Sequence, residues 1–243
     1  MARESYAEKR DALEHYFDRT AAEAWRALTS DEKVSKIRAT VRAGREEMRA
    51  TLLGMIGGDL TGRRVFDAGC GTGALAVEAA GRGAAVTAID VSPTMVKIAR
   101  ERTAIASPEG SAPLAGRVDF RAGDMVRDLV ADPHGPVDHL FAMDSLIHYD
   151  VEDIVGALSS WAPRVTRSMA VTFAPKTAPL ALMHAVGGLF PRGDRAPAIA
   201  PVAPRRLERE IEATAALADF RVGRSTRISR GFYTSQALEL VRR

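Results

Sequence analysis

The sequence predicts a doubly wound α/β fold around a mostly parallel seven-stranded sheet, and three observations carry that prediction. Short apolar segments alternate with helical ones between Arg64 and Phe173. A glycine-rich turn, Gly69-Cys70-Gly71-Thr72-Gly73, joins the first of those segments to a helix. Arg221 to Val241 ends the chain as two strands joined at Arg230-Gly231. Strands separated by helices imply a parallel sheet covered on both faces, with ligands outside the carboxyl ends of the strands.

The elements follow in order. The first 57 residues read as helical. Thr20-Ala-Ala-Glu23 fits a capping box, in which hydroxyl and carboxylate satisfy free backbone donors. From about Asp31, Val34, Ile37, Val41, Met48, Leu52 and Met55 form a stripe at helical spacing that Gly57-Gly58 ends. Residues 1–58 are therefore expected to be a helical arm or lid, packed on the domain or folded over its active face, and residues 59–243 the main domain. Strands are expected over Arg64–Ala68, Ala85–Ile89, Val118–Ala122, Val137–Met143 and Ser168–Phe173. Helices are expected over Gly73–Gly81, after the N-cap Ser92 with Pro93 at its first position, and over Asp150–Trp161. The rhythm then breaks in a proline-rich stretch containing the apolar helix candidate Leu180–Phe190. Residues 175–204 are read as an inserted cap. Arg205–Leu217 resumes as helix.

Composition bounds the function. With 46% hydrophobic and 27% charged residues the chain resembles an ordinary globular protein. The single cysteine, Cys70, forbids an intrachain disulfide and suits a reducing compartment. Met1 to Arg10 lacks the apolar core of a signal peptide, and the longest apolar run, Pro179 to Phe190, falls short of the ~20 residues that span a bilayer. A cytoplasmic location is expected, with peripheral membrane contact left open. From Arg192 onward eleven Arg face six acids, either a solvated surface or a basic rim for an anionic substrate or lipid. The charges are dispersed, so no nucleic-acid partner is expected.

The chemistry concentrates in Val65-Phe66-Asp67-Ala68-Gly69-Cys70-Gly71-Thr72-Gly73. Asp67, just before the glycines, repels phosphate and favours a cationic group, and the G-x-G-x-G spacing differs from the dinucleotide G-x-G-x-x-G. Asp90, ending the second strand beside Val91, can accept from both hydroxyls of a ribose. Asp124, after the third strand, can accept from an adenine amino group while Met125 packs on the ring. A turn role for Asp90 and a helix-capping role for Asp124 are the alternatives. A ligand with an ammonium, a sulfonium, a ribose and an adenine fits all three acids, which makes S-adenosylmethionine the expected cofactor. Gly69, Cys70, Gly71 and Met143 complete its expected contacts. No metal site is expected.

This order resembles the class I, Rossmann-like methyltransferases over roughly Leu60 to Pro175, and their fold includes the closing antiparallel hairpin. The lone Cys70 argues against a cysteine-nucleophile mechanism. Met143-Asp144-Ser145 stands where base amino-methyltransferases carry Asn/Asp-Pro-Pro-Tyr, so the acceptor is expected to be a small molecule.

Further segments resemble the magnesium-protoporphyrin IX methyltransferases of (bacterio)chlorophyll synthesis. These are Tyr16-Phe-Asp-Arg-Thr-Ala with Trp25, Met143-Asp-Ser-Leu-Ile-His148-Tyr149, Phe173-Ala-Pro-Lys176, Met183-His-Ala-Val-Gly187, Leu189-Phe-Pro-Arg-Gly-Asp-Arg195 and Gly231-Phe-Tyr-Thr-Ser-Gln236. The resemblance implies methyl transfer to a propionate of magnesium-protoporphyrin IX, and contact with the enzyme that supplies it. Met183 and Phe190 suit an apolar cap over the macrocycle, with Lys176, Arg192 and Arg195 facing propionates. A carboxylate of reference pKa ~4 arrives ionised, so His148 and Tyr16 are expected to align it rather than act as bases. Core packing of the cap, helix capping by His148 and packing by Tyr16 are the plainer readings. A methyltransferase for another hydrophobic acid or phenol, and a noncatalytic adenosyl-ligand module, also remain open.

Overall fold

The computed structural model of the chain describes residues 6–19, 36–105, 117–176 and 198–243. The capping box at Thr20–Glu23, Trp25, Val34, the Leu180–Phe190 helix candidate, and Met183, Phe190, Arg192 and Arg195 lie outside the described residues.

Among the described residues the helices are α1 (Tyr6–Arg19), α2 (Lys36–Ile56), α3 (Ala74–Gly81), α4 (Pro93–Ile105), α5 (Arg127–Ala131), α6 (Val151–Trp161) and α7 (Pro204–Ala213). The strands are β1 (Arg64–Ala68), β2 (Ala85–Asp90), β3 (Val118–Ala122), β4 (Val137–Ala142), β5 (Val165–Phe173), β6 (Phe220–Arg230) and β7 (Tyr233–Arg242). They form one sheet ordered β3-β2-β1-β4-β5-β7-β6. β1 to β5 are mutually parallel, while β7 runs antiparallel to both β5 and β6. The doubly wound expectation therefore holds, closing hairpin included. Chain direction around the sheet reverses between β1 and β4, which opens a crevice at their carboxyl ends.

Alternation along β1 assigns each residue to a side. Phe66 and Ala68 join a core with Ile154, Leu158 and Trp161 of α6, Leu207 of α7 and Leu13 of α1. Val65 joins the opposite core with Met48, Leu52 and Leu53 of α2 and Leu75 of α3. Period-two alternation puts Asp67 on this second side. Of the apolar stripe, Met48, Leu52 and Met55 are buried and Val41 is half-buried, and Gly57, at φ 116, ends the helix in a conformation that suits glycine. Gly44 lets α2 approach β7, since a Cβ there would collide with the ring of Tyr233. Of the two placements open to the arm, α2 packs on the domain and α1 lies across the crevice.

Differences from the sequence reading are local. Helix Arg205–Leu217 is split, because extended backbone at Thr214 separates α7 from a 3-10 turn at Ala215–Leu217. α5 is too short for periodicity to register. β5 begins at Val165, where buried Val165 extends the pairing past a bulge opposite Val137 and His139. Between β5 and α7 the described residues Ala174–Lys176 and Val202 pair as a neck. Lys176 N–H donates to Val202 O at 2.8 Å and Val202 N–H to Ala174 O at 2.8 Å. Among the described residues no helix is long and apolar enough to cross a membrane.

Candidate functional site

Two adjoining cavities occupy the crevice and share Gly69, Arg45 and Met143. Gly71, Asp90, Val91, Asp124, Met125 and His148 line the first. Asp67, Cys70, Thr72 and four arginines, Arg42, Arg45, Arg49 and Arg102, line the second. All nine residues expected to contact the cofactor thus border one cavity or both.

The strand ends explain this convergence. Asp90 Oδ2 accepts from Gly71 N–H at 2.8 Å and Oδ1 from Ser92 N–H at 3.0 Å, so the end of β2 fixes the glycine loop after β1. The turn role of Asp90 is therefore real and leaves other lone pairs of a carboxylate available. Burial pushes the Asp90 carboxyl up, against the pull of those two N–H groups. Gly71 sits at φ 54, and a Cβ there would meet nothing within 4 Å, so the loop presents bare backbone to open space. Asp67 is buried, and its Oδ2 has no hydrogen-bond partner. Burial, then the charge of Asp90, pushes its carboxyl up to about 7. Burial, with Asp90 and Asp67 nearby, also raises the Cys70 thiol, which does not favour a thiolate.

Asp124 carries more than was expected of it. Oδ1 accepts from Val126 N–H at 2.8 Å, from Arg127 N–H at 3.1 Å and from the Tyr6 hydroxyl at 3.2 Å, while Oδ2 accepts from Arg10 at 3.1 Å. Burial alone would raise this carboxyl, but the backbone donors and then Arg10 and Tyr6 hold it below the usual range. The helix-capping alternative is met in part: Asp124 holds the N–H groups of Val126 and Arg127 at the entry to α5, whose N-cap residue is Val126.

His148 follows β4 in a 3-10 turn and lines the first cavity, its Nδ1 3.2 Å from Ala198 O beyond the neck. Helix α6 is capped instead by Asp150, which accepts from Asp153 N–H at 3.1 Å. Tyr16 is half-buried and edge-on to Phe17; the α1 residues that line the cavity are Tyr6, Arg10, Leu13 and Phe17. Lys176 is exposed at the neck. Of the nine described arginines of the basic rim, Arg206, Arg224, Arg230 and Arg242 each pair with an acid.

The sequence reading missed Tyr6, Arg10, Arg45, Asp144 and Ser145, all of which line the first cavity. Ser145 Oγ is buried without a hydrogen-bond partner, beside Gly69. For Asp144 a signal existed, since it is one more acid at a strand end. The others are contributed by distant segments.

A sheet that reverses between β1 and β4, with acids at three successive strand ends around one crevice, defines a class I S-adenosylmethionine-dependent methyltransferase. Residues 65–168 match the methyltransferase domain family, and residues 142–242 match the family described as magnesium-protoporphyrin IX methyltransferase C-terminus. The chain is 47% identical over 236 residues to a magnesium-protoporphyrin O-methyltransferase of Rhodobacter capsulatus, covering 96% of this chain and 97% of the relative. It is 31% identical over 229 residues to the magnesium-protoporphyrin O-methyltransferase of Synechocystis, covering 93% and 94%. The crystal structure of the Synechocystis magnesium protoporphyrin IX methyltransferase with bound SAH superposes with a TM-score of 0.78 at 28% identity, covering 96% of this chain and all 100% of that one. This chain belongs to the magnesium-protoporphyrin O-methyltransferase family.

Proposed function

We propose that this chain transfers a methyl group from S-adenosylmethionine to a propionate carboxylate of magnesium-protoporphyrin IX, giving the monomethyl ester and S-adenosylhomocysteine. The observation that carries the cofactor half is the orphaned, buried oxygen of Asp67 in one cavity and the bare backbone of Gly71 in the other, the two cavities meeting at Gly69 and Met143. These features fit a ligand with an ammonium at one end and a nucleoside at the other. The bound cofactor supplies an electrophilic methyl group on a sulfonium.

The chain's own residues do the rest. Asp90, oriented by Gly71 and Ser92, accepts from the ribose hydroxyls; Asp124 accepts from the adenine amino group, with Val91 and Met125 against the ring. Asp67 faces the ammonium, and Gly69, Cys70 and Met143 border the path between the two ends. The acceptor carboxylate is ionised near neutrality, so no residue needs to remove a proton. His148, at the mouth of the first cavity, orients that carboxylate, and Tyr16 supports it from α1. Proximity and orientation of this kind supply up to ~7–11 kcal/mol of a barrier. α1 covers the crevice and excludes water. Lys176, Arg192 and Arg195 take the propionates, and Met183 and Phe190 the macrocycle face. Residues 1–58 act as the arm and 175–204 as the substrate cap. An apolar, anionic acceptor also favours direct delivery by the enzyme that makes it, in the cytoplasm or at a membrane surface.

The test is an incubation with both substrates, read by the mass of the ester and by S-adenosylhomocysteine release. Turnover of other hydrophobic acids but not of the porphyrin would overturn the acceptor. Tight cofactor binding without any methyl transfer would overturn catalysis.

A further inference from the structure

The second cavity has walls of opposite charge. On one side lies Asp67, buried with an unpartnered oxygen. On the other are Arg42, Arg45 and Arg49 of α2 and Arg102 of α4, with Glu46 the remaining acid. An α-amino acid end carries both an ammonium and a carboxylate, and such walls offer each of them a partner. The four arginines differ in their engagements. Arg49 Nε donates to Glu78 at 2.8 Å and Arg102 reaches the Thr72 hydroxyl at 3.5 Å. Arg45 alone of the four also lines the first cavity, where it meets Gly69 and Met143 at the junction.

Asp144 locates Arg45. Its Oδ2 lies 3.5 Å from Arg45 Nε. The carboxylate also accepts from the hydroxyls of Tyr233 at 3.0 Å, Ser235 at 3.3 Å and Thr172 at 3.4 Å, while Asp144 N–H donates to Thr172 Oγ1 at 2.7 Å. Hydroxyls from β5 and β7 thus fix this carboxylate to the sheet. Asp144 also has φ 55, left-handed backbone that is uncommon outside glycine and is often kept where a site requires it. On the helix side, Gly44 seats α2 so close to Tyr233 that Arg45 starts from a set distance.

We infer that Arg45 binds the α-carboxylate of the cofactor's methionyl end, and that Asp144 is a positioning residue that holds Arg45 for that contact. The inference rests on the cofactor reading above. It adds the anionic counterpart to Asp67, so that the second cavity recognises a zwitterion.

Calorimetric titration with S-adenosylhomocysteine and with 5′-methylthioadenosine, which keeps the nucleoside thioether but lacks the amino-acid end, tests it. Arg45→Gln is expected to lose S-adenosylhomocysteine affinity by about 10- to 100-fold, the range for a hydrogen bond to a charged group, with 5′-methylthioadenosine affinity unchanged. Arg45→Lys is expected to recover part of the loss through its charge. Asp144→Asn, which keeps one oxygen to accept from the hydroxyls, replaces the oxygen facing Arg45 with a donor and tolerates left-handed backbone, should show a smaller loss confined to the same ligand. Equal losses for both ligands, or none for either, would overturn the inference. So would a raised porphyrin KM with S-adenosylhomocysteine affinity intact, which would place Arg45 on the acceptor's propionate instead. Failure of the wild-type protein to bind either ligand would remove the cofactor reading itself.

Discussion

The two described helices that precede β1, α1 and α2, border the same crevice but are held to the sheet by different forces. α2 buries Met48, Leu52 and Leu53 completely against the second core. α1 buries only Leu13 fully; Tyr6, stacked on Tyr149 at 5.3 Å, and Phe17 pack partly against the first core, and the ties beyond these are polar. Lys9 bridges Asp150 at 3.1 Å and Asp153 at 2.5 Å, Arg10 and Tyr6 reach Asp124, and Asp18 accepts from Ser92 and Thr94 at the start of α4. Apolar burial stabilises by roughly 25 cal/mol per Å² and is not screened by salt. Partly exposed ion pairs contribute about 0–1 kcal/mol each and are screened. On the proposed reading of the arm, α2 is the fixed wall and α1 the cover, which is expected to open without unfolding the domain.

The comparison breaks most visibly under core truncation. Leu52→Ala should cost about 2–5 kcal/mol of global stability in chemical denaturation. Leu13→Ala should leave the global midpoint nearly unchanged and instead speed proteolysis within α1. Equal global losses would erase the distinction between wall and cover.

Asp124→Ala should act on the cover and the ligand together. It removes the acceptor shared by Tyr6 and Arg10, so α1 should become protease-sensitive, and S-adenosylhomocysteine affinity should fall about 10- to 100-fold. Tyr6→Phe should loosen α1 with a smaller change in affinity; equal effects would mean that Asp124 acts only through the helix.

The fixed side predicts a pH dependence. Between the usual 3.8 and about 7, the folded Asp67 carboxyl holds a proton that the unfolded chain has released. Its contribution to stability is therefore complete below the lower value and lost as pH rises through the upper one. A ligand ammonium requires the ionised form, so affinity should fall as pH drops below about 7, by up to about tenfold per unit. Asp67→Asn should flatten that profile; an unaltered slope would assign the proton to another group.

The smallest effects concern alignment. His148→Ala should lower kcat toward the ~10²-fold end of the range for a positioned group, with cofactor affinity unchanged. Tyr16→Phe should cost less, because Phe17 rather than Tyr16 lines the cavity. A loss appearing only in Tyr16→Ala would assign Tyr16 to packing of the cover.

Local pattern explains what the sequence discloses. β1, β3 and β4 emerge within one residue of their expected bounds because alternation and glycine turns are local signals. Asp67, Asp90 and Asp124 are legible because each ends a strand and the topology brings strand ends together. Tyr6, Arg10 and Arg45 carry no such mark. Arg10 reaches Asp124 across 114 positions, and nothing in the spacing of either announces it. Arg42, Arg45 and Arg49 do share a helix face, three and four residues apart, but on a helix surface that spacing is ordinary. Their meaning depends on which side of β1 Asp67 occupies, a tertiary fact.

On the proposed reading of residues 175–204 as the substrate cap, the neck between β5 and α7 sets the terms on which the domain can change its acceptor. With Lys176 paired to Val202 and Val202 to Ala174, the ends of the intervening segment are joined by the scaffold itself. Closing a longer flexible segment across such a joint adds only about 0.6 kcal/mol per doubling of its length. The segment is therefore expected to tolerate exchange, lengthening or shortening while the strand ends stay in register. In evolutionary terms the neck is a port, through which one methyl-donating chassis can be refitted for acceptors of different shape.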